Sequence, residues 1–552
     1  MTHRPMLTAA RGFKVELLLC ALLVVVGAAI YLPKLAAAVL IDHDDVISVI
    51  AATCNQVRYS EAIPTGRWVS AAEWQQYWQL DTFGCFDQIQ HGLTYYDIHP
   101  PLYFWLLHIW FSVFGVSITS GLVLNLVILL ITAVIIYACC RVLDVSNTFS
   151  FIVSAAWVLS LYSRMTISVI RQYALFSMLA ALLLLLTVLW LKKRQPGYLF
   201  GIAIALVAGV LTHYQFVIPA VMTFLCACAI LARRRQYKEV TQLAIVSGLA
   251  ALTFYLSHPN FLEAMGRADA QAQSFSLVGF AQRLGSVGGT VLQLFNPLDW
   301  SHPLPFGLLD FSDPLYAAIN LLNVAVGGAG LYFAARLAIR AYRKRPDTLD
   351  AMVSVDSLPF VAGVASWLAI TALYIFFVSP VHAIGLQYLH FVTPFLFVAL
   401  GQAAEACKDS IPRKVVVALP PLLVIGAALA TALFVAHRSE LLRIDEIKQA
   451  DALILDSDEI GILPTILWHA NPATKVYAAA TQDDLLANLP DPATVAEGNL
   501  FYASSLAYGN TPEKRQQILE RLAEMGYRNE AGLSVSVVYL VPLGGEIYEF
   551  EH

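Results

Sequence analysis

The chain has 552 residues, 58% of them hydrophobic and only 13% charged, against roughly 25% charged for an ordinary soluble domain. That composition reads as a multi-pass membrane protein. The formal net charge of -5, with no basic stripe, argues against a nucleic-acid partner.

In chain order, Arg4, Arg11 and Lys14 precede an apolar run over residues 15–37. It is long enough to span and has no small-residue cleavage pattern, so it is expected to be a retained first span. IDHDDVIS follows at once, placing Asp42, Asp44 and Asp45 at the lip of a membrane. Carboxylates cost roughly 2.5 to 3.5 kcal/mol in hydrocarbon, so these three belong outside the lipid or in a protein-lined cavity. The polar loop 38–100 then carries Cys54, Cys85 and the segment YDIHPPLY, with Asp97 and His99. If that loop is extracytoplasmic the two cysteines could pair; two separate thiols are the alternative. Cys20, Cys139, Cys140, Cys226 and Cys228 lie in apolar stretches and read as small packing residues.

Further apolar runs fall near 119–140, 149–163, 172–192, 198–212, 215–232, 241–257, 315–338, 359–379, 388–405 and 413–436. The clusters Lys192-Lys193-Arg194, Arg233-Arg234-Arg235 and Arg343-Lys344-Arg345 assign their loops, and the N-terminus, to the cytoplasm. The loop 38–100, the turns at Arg171, His213 and Gln387, the loop 258–313 and everything after 437 then face outward. Counting 101–115 as a span would reverse this agreement, so its Tyr, Trp and His content is read as an interfacial or re-entrant helix. About 11 to 13 membrane helices are expected.

Residues 437–552 have a soluble composition. DALIL, KVYAAA, NLFYASS and SVSVVYLV read as strands. TPEKRQQILERLAEMG reads as a helix, with Thr511 as N-cap, Pro512 in the first turn and Gly526 as the stop. The alternation predicts a small parallel α/β layer. It holds no glycine-rich phosphate loop and is assigned no nucleotide.

Four polar groups thus recur at outward-facing span ends: Asp44-Asp45, Asp97 to His99, Arg171-Gln172-Tyr173 and Thr212-His213-Tyr214. Taken singly each has an ordinary explanation, as solvated loop, helix start, snorkelling arginine or interface belt. Their ordered set, DHDDVISV, YDIHPPLYFWLLHIW, IRQYALFSMLAALLLLL and LTHYQFVIP, resembles the GT-C superfamily of integral-membrane glycosyltransferases. Within it, the set is most similar to the bacterial group related to dolichyl-phosphate-mannose-protein mannosyltransferases and lipid A aminoarabinose transferases. In GLQYLHFVTPFL, Gln387 stands where the family pattern has Arg, while Tyr388 and Pro394 match. Another group, such as His382, His390 or Arg283, could supply the missing cation.

The resemblance implies a GT-C helical fold over residues 1–436, with a C-terminal extracytoplasmic domain over 437–552. It also implies a polyprenyl-phosphate-linked sugar donor, and a hydroxyl acceptor on a lipid, glycan or protein at the outer face of the cytoplasmic membrane. By position in the family's acidic pair, Asp44 takes the general-base role and Asp45 orients it or the acceptor. Arg171, Tyr173, Gln387 and Tyr388 are the candidates for the donor phosphate, and Asp97, His99, His213 and Tyr214 for sugar or acceptor. Inversion is expected by analogy. No cofactor is expected to be required, although Asp42, His43, Asp44, Asp45 and Asp97 could ligate a divalent cation. A secondary transporter or flippase is the competing reading. The sequence shows no evident internal repeat, and its ionisable residues sit at span ends on one side rather than at mid-membrane.

Overall fold

A computed structural model describes residues 4–38, 41, 43–80, 82–269, 314–343, 353–377, 389–437, 444–457, 462–494, 498–505, 510–527 and 545–550. Asp42, the His43 side chain, Arg283, His382, Gln387, Tyr388 and the strand-like SVSVVYLV lie outside them. The helices in the first half are α1 (Arg4–Ala36), α2 (His43–Ala52), α3 (Gln56–Ala62), α4 (Ala71–Gln75), α5 (Phe86–Tyr96), α6 (Leu102–Phe114) and α7 (Ile118–Val142). They continue with α8 (Asn147–Val158), α9 (Leu161–Thr166), α10 (Tyr173–Lys193), α11 (Pro196–Thr212), α12 (Val217–Arg233) and α13 (Tyr237–Ser257).

Among the described residues six stretches are long and apolar enough to cross a membrane: Lys14–Ala36, Ile118–Val142, Tyr173–Lys193, Tyr214–Arg233, Tyr237–Ser257 and Val355–Tyr374. Pro314–Arg343 and Arg413–His437 are further long helices, of 30 and 25 residues. The chain is a polytopic helical membrane protein with a small C-terminal α/β domain.

Local chemistry sets several boundaries. Ser117 caps α7 by accepting the Ser120 N–H, and α6 stops at Gly115, whose φ of 80° suits glycine. With 13 residues, α6 is about 20 Å long and falls short of a ~30 Å hydrocarbon layer. The run 149–163, expected as one span, is two helices. α8 ends at Val158, and Ser160 caps α9 by accepting the Ser163 N–H. Serine competes for backbone hydrogen bonds and favours a cap over a helix interior.

The C-terminal sheet departs from the expected parallel layer. Its strands are β1 (Trp68–Ser70), β2 (Ala452–Leu455), β3 (Lys475–Ala478), β4 (Leu500–Ser505) and β5 (Gly545–Phe550), in the order β1-β3-β2-β4-β5. Only the centre is parallel: β2 pairs with β3 and β4, while β1 lies antiparallel to β3 and β5 antiparallel to β4. One edge therefore comes from the first loop, some 407 residues earlier in the chain by the Trp68–Lys475 spacing. The helix Pro512–Glu524 forms as read, with the Thr511 side chain accepting the Lys514 N–H and Gly526 at φ 98°.

Alternation along the strands gives the sheet two different faces. Ile454, Tyr477 and Tyr502 pack with Ile518 and Leu522 of the helix Pro512–Glu524 in a core of their own. Leu453, Leu455, Val476, Phe501 and Ala503 join Ile466 and Leu467 in the core that continues through Val46, Val49 and Ile50 of α2 into the membrane helices.

Candidate active site

The N-terminus of α2, the strand-like exit from α5, the start of α10 and the end of α11 meet at one end of the helix bundle. The basic residues Lys192 and Lys193 close the other end of α10. α2 starts immediately beyond α1 with Asp44 and Asp45 in its first turn, where carboxylates complement the helix dipole. α5 ends at Tyr96 and Asp97 is extended, and the proline after His99 disfavours a helical backbone at His99. Arg171 and Gln172 immediately precede α10, and His213 closes α11.

These backbone positions bring together a linked set of side chains. Arg171 is only 4% exposed, and its Nη2 lies 3.3 Å from Asp44 Oδ1. Its Nη1 donates to the Asp44 carbonyl at 3.2 Å and to Ser48 Oγ at 3.3 Å. His99 Nε2 lies 3.4 Å from Arg171 Nη2, and His99 Nδ1 lies 2.8 Å from Asp97 Oδ1. Because guanidinium can only donate, Nε2 accepts and the His99 proton sits on Nδ1, facing Asp97. Asp97 Oδ1 also accepts the Ile98 N–H at 2.7 Å. The result is a relay from the Asp97 carboxylate through His99 to Arg171 and on to Asp44.

Electrostatics follow from this geometry. Burial alone would raise the Asp97 carboxyl; the neighbouring His99, its hydrogen bond, the Arg171 charge and the Ile98 N–H outweigh that and hold it at about 2. For Arg171 burial works against the charge, and Asp44 foremost, then Tyr173, Asp97 and Asp45, more than restore it, so the guanidinium is held more firmly than usual. His213 is pushed down to about 3 by burial first, then by His99 and Arg171. It is a neutral imidazole whose Nδ1 accepts the Gln215 N–H at 3.2 Å, which puts its proton on Nε2. Its ring lies 6.4 Å from that of His99 and stacks at 5.1 Å on Phe176.

The two aspartates are not equivalent. Asp44 keeps 35% of its side chain exposed. Asp45 is 2% exposed and its Oδ1 accepts the Ile170 N–H at 2.6 Å. Sequence reasoning missed the neighbours that complete this clamp. Asn125 of α7, wholly buried, donates through Nδ2 to the carbonyls of Val169 at 2.6 Å and Arg171 at 3.2 Å, and its Oδ1 accepts from the Tyr103 hydroxyl at 3.2 Å. Asp45 and Asn125 thus fix the backbone of residues 169–171 on both sides. The signal was present as a lone Asn in an otherwise apolar span, LVLNLVILL, since intramembrane polar residues are costly and are kept for a purpose.

Other candidates sit elsewhere. Tyr173 is buried with its ring 6.2 Å from that of His213. The Tyr214 hydroxyl pairs with His258 Nε2 at 2.8 Å, joining the start of the Tyr214–Arg233 span to the end of α13. His390 is buried among Trp157 and Tyr162 and is hydrogen-bonded to Ser177, a core position rather than a substitute for the arginine missing at Gln387.

Cys54 and Cys85 form a disulfide with a Cα–Cα distance of 6.3 Å. It ties the end of α2 to the start of α5. His108 seals it, with Nδ1 donating to the Ala52 carbonyl at 2.8 Å and Nε2 accepting the Gly84 N–H at 3.1 Å. Among the described residues the only group of three possible metal ligands is Cys54, Cys85 and His108. Its sulfurs are bonded to each other and its ring nitrogens are occupied, so this donor set does not fit a metal.

Residues 98–258, which contain His99, Arg171 and His213, match the family model described as dolichyl-phosphate-mannose-protein mannosyltransferase. No curated protein is significantly similar in sequence. Among solved structures, ArnT from Cupriavidus metallidurans bound to undecaprenyl phosphate aligns with a TM-score of 0.46 at 12% identity, covering 96% of this chain and 97% of that one. The same protein in its apo state gives 0.38 at 11% identity over 98% of each chain. Arabinosyltransferase EmbB from Mycobacterium smegmatis gives 0.34 at 14% identity, over 79% of this chain and 42% of that one. The chain is thus a multi-pass helical membrane protein by its apolar helices, similar over residues 98–258 to the family described as dolichyl-phosphate-mannose-protein mannosyltransferase.

Proposed function

We propose that the protein transfers a sugar from a polyprenyl-phosphate donor to a hydroxyl of a lipid, glycan or protein acceptor, at the outer face of the cytoplasmic membrane and with inversion at the anomeric carbon. One observation carries this reading: a partly exposed carboxylate, Asp44, stands 3.3 Å from a buried, firmly charged arginine, Arg171. Displacement at an anomeric carbon needs both groups. The acceptor O–H gives its proton to Asp44 as its oxygen bonds to the sugar carbon. The bond from that carbon to the phosphate oxygen breaks, and its electron pair leaves on the lipid phosphate, which the Arg171 fork neutralises.

Before donor binding, Arg171 is engaged with Asp44. An incoming phosphate competes for the same N–H groups and so releases the carboxylate to act as base only when a donor is in place. Asp97 and His99 hold the guanidinium from behind, and neutral His213 offers an Nε2–H to a sugar or acceptor oxygen. Asp45 acts through Arg171 by fixing residue 170, a positioning role rather than contact with the acceptor.

The test is transfer of label from a polyprenyl-phosphate sugar by membranes carrying wild type or Arg171→Lys. Lysine keeps the charge and loses the planar fork. We expect a fall of about 100-fold in kcat/KM for the donor, the scale of losing one positioned donor to developing charge. Transfer by Arg171→Lys at the wild-type rate would remove Arg171 from the phosphate.

A further inference from the structure

The soluble domain is wired into the helix that carries Asp44. Residues 66–79 of the first loop belong structurally to that domain. β1 pairs with β3 in the register Trp68 to Tyr477, Val69 to Val476 and Ser70 to Lys475. The Gly66 N–H donates to the Ala478 carbonyl at 2.8 Å and the Ala71 N–H to the Thr474 carbonyl at 2.8 Å. Gln75 Nε2 donates to the carbonyls of Leu467 at 2.9 Å and Ala470 at 2.8 Å, at the end of the helix Ile462–His469. Trp78 stacks on Trp468 with centroids 5.6 Å apart and planes 23° from parallel.

The same loop segment grips the far end of α2. Thr53 Oγ1 lies 3.0 Å from the Tyr77 carbonyl, and Asn55 Nδ2 donates to the Gln79 carbonyl at 3.1 Å. Ile466 and Leu467 are buried in one core with Val46, Val49 and Ile50 of α2. α2 is therefore held at two ends. Asp44 and Asp45 fasten its first turn to Arg171 and Ile170, and the soluble domain fastens its last turn through residues 75–79. At ten residues it is a rod about 15 Å long, so a shift at Thr53 is delivered to Asp44.

We propose that the C-terminal domain positions the active site: the contact of Trp468 with Trp78, supported by Gln75, sets the angle at which α2 presents Asp44 to Arg171. Trp468 and Gln75 are positioning residues, and the domain is an integral part of the catalytic scaffold rather than an appended module. The kinetic consequence rests on Asp44 being the base; the mechanical coupling does not.

The full-length protein is reconstituted in lipid nanodiscs as wild type, Trp468→Ala, Trp468→Phe and Ile518→Ala. Amide hydrogen exchange over residues 43–52 is measured beside kcat and donor KM. Ile518 lies on the opposite face of the sheet, so its truncation loosens the domain away from α2. We expect Trp468→Ala to speed exchange of α2 about 10-fold and to lower kcat about 10-fold, the cost of a sub-ångström misplacement, with donor KM within about 2-fold of wild type, since positioning acts in the transition state. Trp468→Phe restores both, and Ile518→Ala changes neither. If Trp468→Ala does not fold, Gln75→Ala replaces it, removing two hydrogen bonds and little apolar surface. Exchange of α2 at the wild-type rate in the substituted protein, or an equal effect of Ile518→Ala, overturns the proposal. Absence of any sugar transfer by wild type counts against the proposed activity instead, and the exchange result still decides the coupling.

Discussion

Substituting the adjacent aspartates one at a time separates chemistry from scaffold. Asp44→Asn keeps size and removes the proton acceptor. Its pair with Arg171 is 35% exposed on the carboxylate side, so screening limits the stability loss to about 1 kcal/mol. Loss of a general base costs about 100- to 10,000-fold in rate, or roughly 3 to 5.5 kcal/mol of barrier at 1.36 kcal/mol per decade. Asp45→Asn has the opposite balance. Asp45 is 2% exposed and accepts the Ile170 N–H at 2.6 Å; giving up a charge-assisted bond there costs about 2 kcal/mol of stability, and kcat falls no more than about 10-fold as Arg171 loosens. Thermal melting in detergent and label transfer from a polyprenyl-phosphate sugar read the two quantities on the same preparations. The reverse pattern, with Asp44→Asn active and Asp45→Asn folded but inert, would refute the assignment of the base.

Asn125→Ala strands the carbonyls of Val169 and Arg171 and the Tyr103 hydroxyl. Unsatisfied buried groups cost about 1 to 3 kcal/mol each, so a loss of roughly 3 to 5 kcal/mol is expected in denaturant unfolding; a loss below about 1 kcal/mol would contradict the clamp. His213 sits at about 3 in the folded protein against an ordinary 6.5. Between those values the unfolded chain binds the extra proton, so this group's contribution is complete above pH 6.5 and is lost as pH falls, by about 1.4 kcal/mol per unit. His213→Phe should flatten the melting profile between pH 6.5 and 4; an unchanged slope shows that His213 is not held neutral. The Cys54–Cys85 link closes a 31-residue separation. Its reduction should lower stability by about 4 kcal/mol on loop entropy, whereas an unchanged melting temperature after thiol titration confirms full reduction would show that the link does not constrain the fold.

Much of the site was readable because its chemistry is local to span ends. Carboxylates at a helix start, a histidine before two prolines and an arginine before a long apolar helix all announce themselves in a few residues. Charge clusters then give an expected orientation for the spans. What stayed hidden depends on pairing across hundreds of residues. Trp68–Ser70 is a three-residue strand with no periodicity to detect, and nothing near it signals a partner at Lys475. The inequality of Asp44 and Asp45 is likewise tertiary: consecutive helix positions diverge by about 100°, and only the location of Ile170 decides which one is buried. The break at Ser160 was obscured by the apolar run around it.

The chemical fate of the donor separates sugar transfer from transport most directly. Proteoliposomes containing the purified protein are supplied with a polyprenyl-phosphate sugar labelled in both the sugar and the phosphate, together with an envelope extract as acceptor. The sugar label is expected to move into a new covalent product while an equal amount of labelled polyprenyl phosphate is released, and Asp44→Asn is expected to abolish both. Movement of the intact doubly labelled donor from one leaflet to the other, with no product and no free polyprenyl phosphate, would contradict sugar transfer and identify a transporter.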